Sequence, residues 1–177
     1  MLTITIPPLE LYDESKNEFF TLKEQTLQLE HSLVSLSKWE SKWCKPFITD
    51  KKKTDKETID YVRCMTLTQN VDPSVYSRLT DEHIELIQRY IDAPMTATWF
   101  TDNNDDKKSS SQQITNELIY FWMFTFGIPM DCQKWHLNRL LTLIKVFNAK
   151  NQKPKSMSVQ ERAALNAARK KQYNTKG

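Results

Sequence analysis

The sequence predicts an α+β fold, mainly α: a small N-terminal antiparallel β element packed on a helical body, then an apolar αα-hairpin and a basic helical tail. Three observations carry that expectation. Apolar and polar residues alternate in Leu2-Thr3-Ile4-Thr5-Ile6 and again over residues 26–30, the period of a half-buried strand. From Ser32 the apolar spacing switches to threes and fours, the period of a helix with one covered face. Residues 114–151 form the densest apolar stretch of the chain, and the remainder reads as organised around it.

The first strand ends at Pro7-Pro8, which cannot donate to a ladder. Residues 9–12 and 19–22 flank the polar Asp13-Glu14-Ser15-Lys16-Asn17, which predicts a hairpin. A sheet of three or four such strands is too small to stand alone, so it is expected to pack on helices. Leu33, Leu36, Trp39 and Trp43 then define a helix that Pro46 ends, with both tryptophans on one face. After Lys51-Lys52-Lys53, Thr54 and Glu57 form a capping box that opens a helix through Ile59, Val62 and Cys64 to about Leu67. Asp72-Pro73 starts a shorter helix. Thr80-Asp81-Glu82 starts another, carrying Ile84, Ile87 and Ile91 until Pro94 stops it.

Residues 95–100 read as extended or irregular, and 101–113 as a polar linker or loop without large apolar groups. Within 114–149, positions 118–126 are apolar almost throughout, so a helix there has no solvent face and needs cover from the domain or a partner. Leu137, Leu140, Leu141, Ile144 and Phe147 give the next helix its apolar stripe. Gly127 suits the left-handed position past a helix end, and Pro129 the first turn of the next helix, predicting an antiparallel αα-hairpin. In the tail, 150–177, Pro154 breaks the preceding helix and Ser158 with Glu161 forms a second capping box. Alanines then favour helix to about Gln172, though one too poor in large apolar groups to be stable alone. The chain thus divides into a β element (1–31), a helical body (32–100), a linker (101–113), the hairpin (114–149) and the tail.

A chain of 177 residues suits one ordinary domain with appendages. The formal charge of +3 is unevenly placed: residues 150–177 hold eight basic and one acidic residue, leaving the rest at −4. Three widely spaced cysteines without a leader sequence point to a reduced, cytoplasmic setting. No apolar run approaches the roughly 20 residues of a membrane span, and no lipidation motif is present.

Most reaction chemistries lack their parts. With only Gly127 and Gly177, the chain has no loop whose backbone amides could cradle a nucleotide phosphate. Cys132 and His136 are two ligands at one-turn spacing, short of a zinc set. His31 and His83 stand apart from any serine or cysteine context, Asp81-Glu82 complements a helix start, and Asp105-Asp106 lies in the polar loop. Neither catalysis nor a cofactor is therefore expected. Two features remain. Trp39, Trp43, Trp99, Trp122 and Trp135, with Met123, Phe126 and Met130, are core or part of a patch for a partner. The basic tail, with Arg169, Lys170 and Lys171, docks on an acidic protein surface or is solvated. Its one aromatic residue, Tyr173, and lack of a base-reading motif make nucleic acid the lesser expectation.

HSLVSLSKWESKW at 31–43 with KPF at 45–47, DYVRCMT at 60–66, APMTATW at 93–99, IPMDCQKWHLNRL at 128–140, LNAAR at 165–169 and NTKG at 174–177 resemble a family of small proteins encoded by tailed bacteriophages. The likeness covers most of the chain from about Gln28 onward. It is similar to the tail assembly chaperones, helical proteins of the infected cell. These keep the tape-measure protein soluble while tail tube subunits polymerise around it. The resemblance implies binding to tape-measure and tail tube proteins in the host cytoplasm, with self-association possible and no membrane. It also leaves a structural virion subunit of the baseplate or head–tail connector as the alternative. Trp39, Trp43, Trp122, Met123, Phe126, Trp135, Arg169, Lys170 and Lys171 are the expected partner-binding residues.

Overall fold

The computed structural model describes residues 1–100, 113–151 and 159–172, the last with side chains at 163–169. The expected linker therefore falls, apart from Gln113, outside the described residues, as do Pro154 and Ser158 of the tail. Two compact units are resolved, residues 1–144 and 145–177. The mainly helical α+β class holds.

Four strands open the chain: β1 (Leu2–Ile6), β2 (Leu9–Asp13), β3 (Glu18–Leu22) and β4 (Gln25–Leu29). They form two separate antiparallel ladders, β1 with β4 and β2 with β3, so the expected single sheet is instead a two-stranded ribbon interrupted halfway. Near the body the alternation does as the sequence requires, turning Ile4, Ile6, Leu27 and Leu29 into the core. The interruption sits at Pro7-Pro8 and Lys23-Glu24. The prolines have no N–H to offer, and the Arg78 guanidinium donates instead to the carbonyls of Pro7 (2.9 Å) and Lys23 (3.3 and 3.4 Å).

Among the described residues six α-helices follow: α1 (Leu33–Trp43), α2 (Asp55–Met65), α3 (Asp81–Asp92), α4 (Asn116–Thr125), α5 (Leu137–Asn151) and α6 (Val159–Gln172). Their starts follow local chemistry. Ser32, Thr54 and Thr80 each cap with a reciprocal box, the last completed by the imidazole of His83. Asp72-Pro73 opens a 3-10 helix, Pro73–Arg78. α2 stops at Met65, short of Leu67, because the chain turns extended to bond β4: Glu30 N–H donates to Met65 O and Leu67 N–H to Gln28 O. Just past the same end of that strand, Leu137 N–H donates to His31 O at 2.7 Å and ties the chain to the start of α5.

The start of the second hairpin helix is a correction. Gly127 does take φ +64°, and Ile128 N–H to Met123 O with Gly127 N–H to Phe124 O closes α4 in a Schellman motif. Pro129, however, leads into a 3-10 helix, Met130–Lys134, and α5 begins only at Leu137. α4 and this 3-10 helix pack on α1. Among the described residues no helix is long and apolar enough to cross a membrane.

Candidate partner-binding site

The orientation of α4 is set by one buried carboxylate. Glu40 near the end of α1 accepts from Asn116 N–H and Nδ2 through Oε2 (2.7 Å each) and from Phe47 N–H through Oε1 (2.6 Å). Thr115 makes no side-chain cap, so Glu40 supplies the acceptor and the negative charge that a helix N-terminus favours. With Asn116, Ile119 and Met123 buried, the opposite face presents Phe121 (61% exposed) and Phe124 (68%). Their i, i+3 spacing makes one aromatic patch. Leu118, Trp122 and Phe126 flank it half-buried.

The distal ladder is a second apolar surface. Register pairs Leu9 with Leu22 and Leu11 with Phe20 on one face, and Tyr12 with Phe19 on the other, with Tyr12 and Phe19 rings 4.9 Å apart. Leu9, Leu11, Tyr12, Phe19 and Phe20 are all exposed, Phe19 by 70%. The β element buries β1 and β4 side chains in the core, whereas these β2 and β3 side chains stay exposed. Adjacent apolar residues at Leu11-Tyr12 and Phe19-Phe20 place one on each face of a strand, a signal that both faces are apolar.

The sequence-predicted site residues scatter. Trp39 is 2% exposed, donates Nε1–H to Glu57 O (2.9 Å), and packs against Trp43 and Phe47. Met123 is fully enclosed. Both are core, and neither offers surface to a partner. Trp43 is half-buried and donates to Asp60 Oδ2 (2.9 Å). Trp135 is half-buried, with the Arg139 guanidinium 4.1 Å from its ring centroid. Trp122 and Phe126 belong to the edge of the α4 patch. Arg169 is exposed on α6, whereas the side chains of Lys170 and Lys171 lie outside the described residues. Sequence reasoning marked the segment 118–126 but chose Trp122, Met123 and Phe126 over Phe121 and Phe124, because a helix apolar all round gives no phase from which to read its covered face.

Electrostatics around α1 and α2 are structural. Burial opposes ionisation of Asp60, but hydrogen bonds from Lys42 and Trp43 outweigh it and hold the carboxyl below the usual range. The hydrogen bond from Lys45 to Glu57 (2.7 Å), with help from Thr54, holds that carboxyl down to about 2. His31 is buried, its Nδ1 2.5 Å from Tyr61 Oη, and burial with the neighbouring His136 and Lys53 pushes its pKa down to about 3. His136 Nδ1 accepts from Asn138 N–H, which leaves Nε2–H to donate to Tyr90 O at 2.9 Å; burial lowers its pKa as well. The three cysteines are unpaired. Among the described residues no group of three His, Cys, Asp or Glu side chains is placed to hold a metal ion. Comparison with protein-family models, curated proteins and solved structures gave no match.

Proposed function

We propose that this protein works by binding other proteins, as a tail assembly chaperone of a tailed bacteriophage that engages the tape-measure protein and tail tube subunits in the infected cell. The observation that carries the reading is the aromatic face of α4, where Phe121 and Phe124 stand in solvent on a helix whose other side is locked to α1. Apolar surface of this kind marks contact with a partner, and aromatic residues dominate the energetics of such contacts. The choice of partner rests on the resemblance of its motifs to those of the phage family, and the polypeptide needs no reacting group for this task.

The test is co-expression with the tape-measure protein of the phage that encodes it. Wild type is expected to keep that protein soluble and to co-purify with it, and Phe121→Ser with Phe124→Ser to lose both effects while remaining folded. Mass spectrometry of purified virions separates the chaperone from a structural subunit. A chaperone is scarce there, and stoichiometric copies would establish the baseplate or connector alternative.

A further inference from the structure

A cleft of about 690 Å³ in the unit 1–144 shares no lining residue with α4 or with β2 and β3. Its walls are Ile84, Ile87 and Ile91 of α3 and Leu137 and Leu141 of α5, and the buried Val62 and His31 also line it. Its volume falls in the range of roughly 300–1,000 Å³ typical of small-molecule sites, which combine apolar walls with a few polar groups. Lys51, Lys52 and Lys53 form its basic side. Among the described residues none of these three lysines has an ion-pair partner. The lining carries one carboxylate, Asp92, and that group accepts from Gln88 Nε2 at 3.0 Å.

Lys53 is the fixed member of the three. Its Nζ donates to Phe47 O at 3.0 Å and lies 3.9 Å from the centroid of the Phe47 ring, leaving N–H donors over. Burial lowers the pKa of this amine, with Glu57 acting in the opposite direction, so its charge is incompletely solvated and gains from an anion. The imidazole of His31 in the lining is neutral, which keeps the interior of the cleft uncharged.

We propose that this cleft binds a small amphipathic anion, a single hydrocarbon or aryl body with one carboxylate or sulfonate head, the body against the isoleucines of α3 and the head at Lys53. The dimensions select a small molecule over a partner helix. Ile84 to Asp92 covers about 12 Å of α3, but Leu137 to Leu141 covers only about 6 Å of α5, so the part of the cleft walled on both sides is shorter than the roughly 10.5 Å from i to i+7 of a docked helix. The excess of ammonium over carboxylate groups selects an anion over a cation.

The test titrates the full-length protein with sodium dodecanoate below its micelle concentration, followed by calorimetry and by isoleucine methyl NMR. One saturable site is expected, with the methyls of Ile84, Ile87 and Ile91 shifting more than those of Ile4, Ile6 and Ile119. Dodecyltrimethylammonium, with the same chain and the opposite charge, is expected to bind at least tenfold more weakly. Lys53→Met should weaken dodecanoate at least tenfold. If that variant does not fold, Lys51→Ala with Lys52→Ala, at exposed positions, should still weaken it several-fold. Absence of a saturable site, shifts centred on α4 or the strands, equal affinity for the cation, or lysine variants that bind as wild type would each overturn the proposal.

Discussion

His31 and His136 lie with ring centroids 5.1 Å apart, edge to face, at the point where β4, α1 and α5 meet. Both are held neutral by burial, and His136 Nδ1 would lose its bond from Asn138 on taking a proton. A histidine whose folded pKa is depressed leaves the unfolded chain with more bound protons at acid pH, so stability falls as pH falls below about 6.5. For His31, at about 3 when folded, the loss is about 2 kcal/mol between pH 7 and 5. Glu57 and Asp60, held below their ordinary values, do not titrate in that window. Urea unfolding at pH 7, 6 and 5 should show this slope, and His31→Gln should flatten it. Glu40 makes a second prediction at this scale. Glu40→Ala leaves three buried donors on Phe47 and Asn116 without an acceptor, which should cost about 3–5 kcal/mol and speed amide exchange at Asn116.

Along α4 the two faces make opposite predictions. Met123→Ala empties a fully enclosed site and should cost about 2–5 kcal/mol, whereas Phe121→Ser and Phe124→Ser should shift stability by no more than about 0.5 kcal/mol each. Thermal unfolding of the three variants decides this, and the reverse order would place the helix the other way round. Elements whose cause is local were legible in the sequence. The alternation of β1 and β4, the box at Thr54, the helix start at Thr80, Asp72-Pro73 and the left-handed Gly127 each depend on residues a few positions apart. What depends on a distant neighbour was not legible. Nothing in 114–126 says that Glu40, 76 positions away from Asn116, anchors α4 on α1, and an apolar helix without a polar stripe cannot show which aromatic groups stay outside. The same holds for the strands. Period two placed Ile4 and Ile6 correctly, but where Leu11-Tyr12 and Phe19-Phe20 break the period, the pattern names no face.

Across the whole molecule, charge is divided between an acidic majority and a basic C-terminal segment. Arg169 is exposed on α6, whose alanine-rich sequence offers little area for permanent packing. Under the proposed function, neutralising Arg169, Lys170 and Lys171 should weaken the proposed complex with tail proteins, with an effect that shrinks as salt rises, because such contacts are screened over about 8–10 Å at ordinary ionic strength. Melting temperature should not change. A duplex-binding role predicts instead a loss of affinity close to one power of salt concentration per phosphate contact, measurable on random-sequence DNA.

Arg78 bridges Pro7 and Lys23 where neither strand pairs, so its guanidinium ties together the two chain crossings at the base of the β2–β3 arm. Lys23 is also a trypsin site, in the two-residue gap between the two ladders. Digestion there requires several residues to open and enter the protease extended, and the guanidinium must let go first. Arg78→Ala should therefore hasten cleavage after Lys23 under native conditions, with little effect at Lys42 or Lys45, whose ammonium groups hold on to α2. The half-life of that one peptide bond becomes a clock for how often the arm swings.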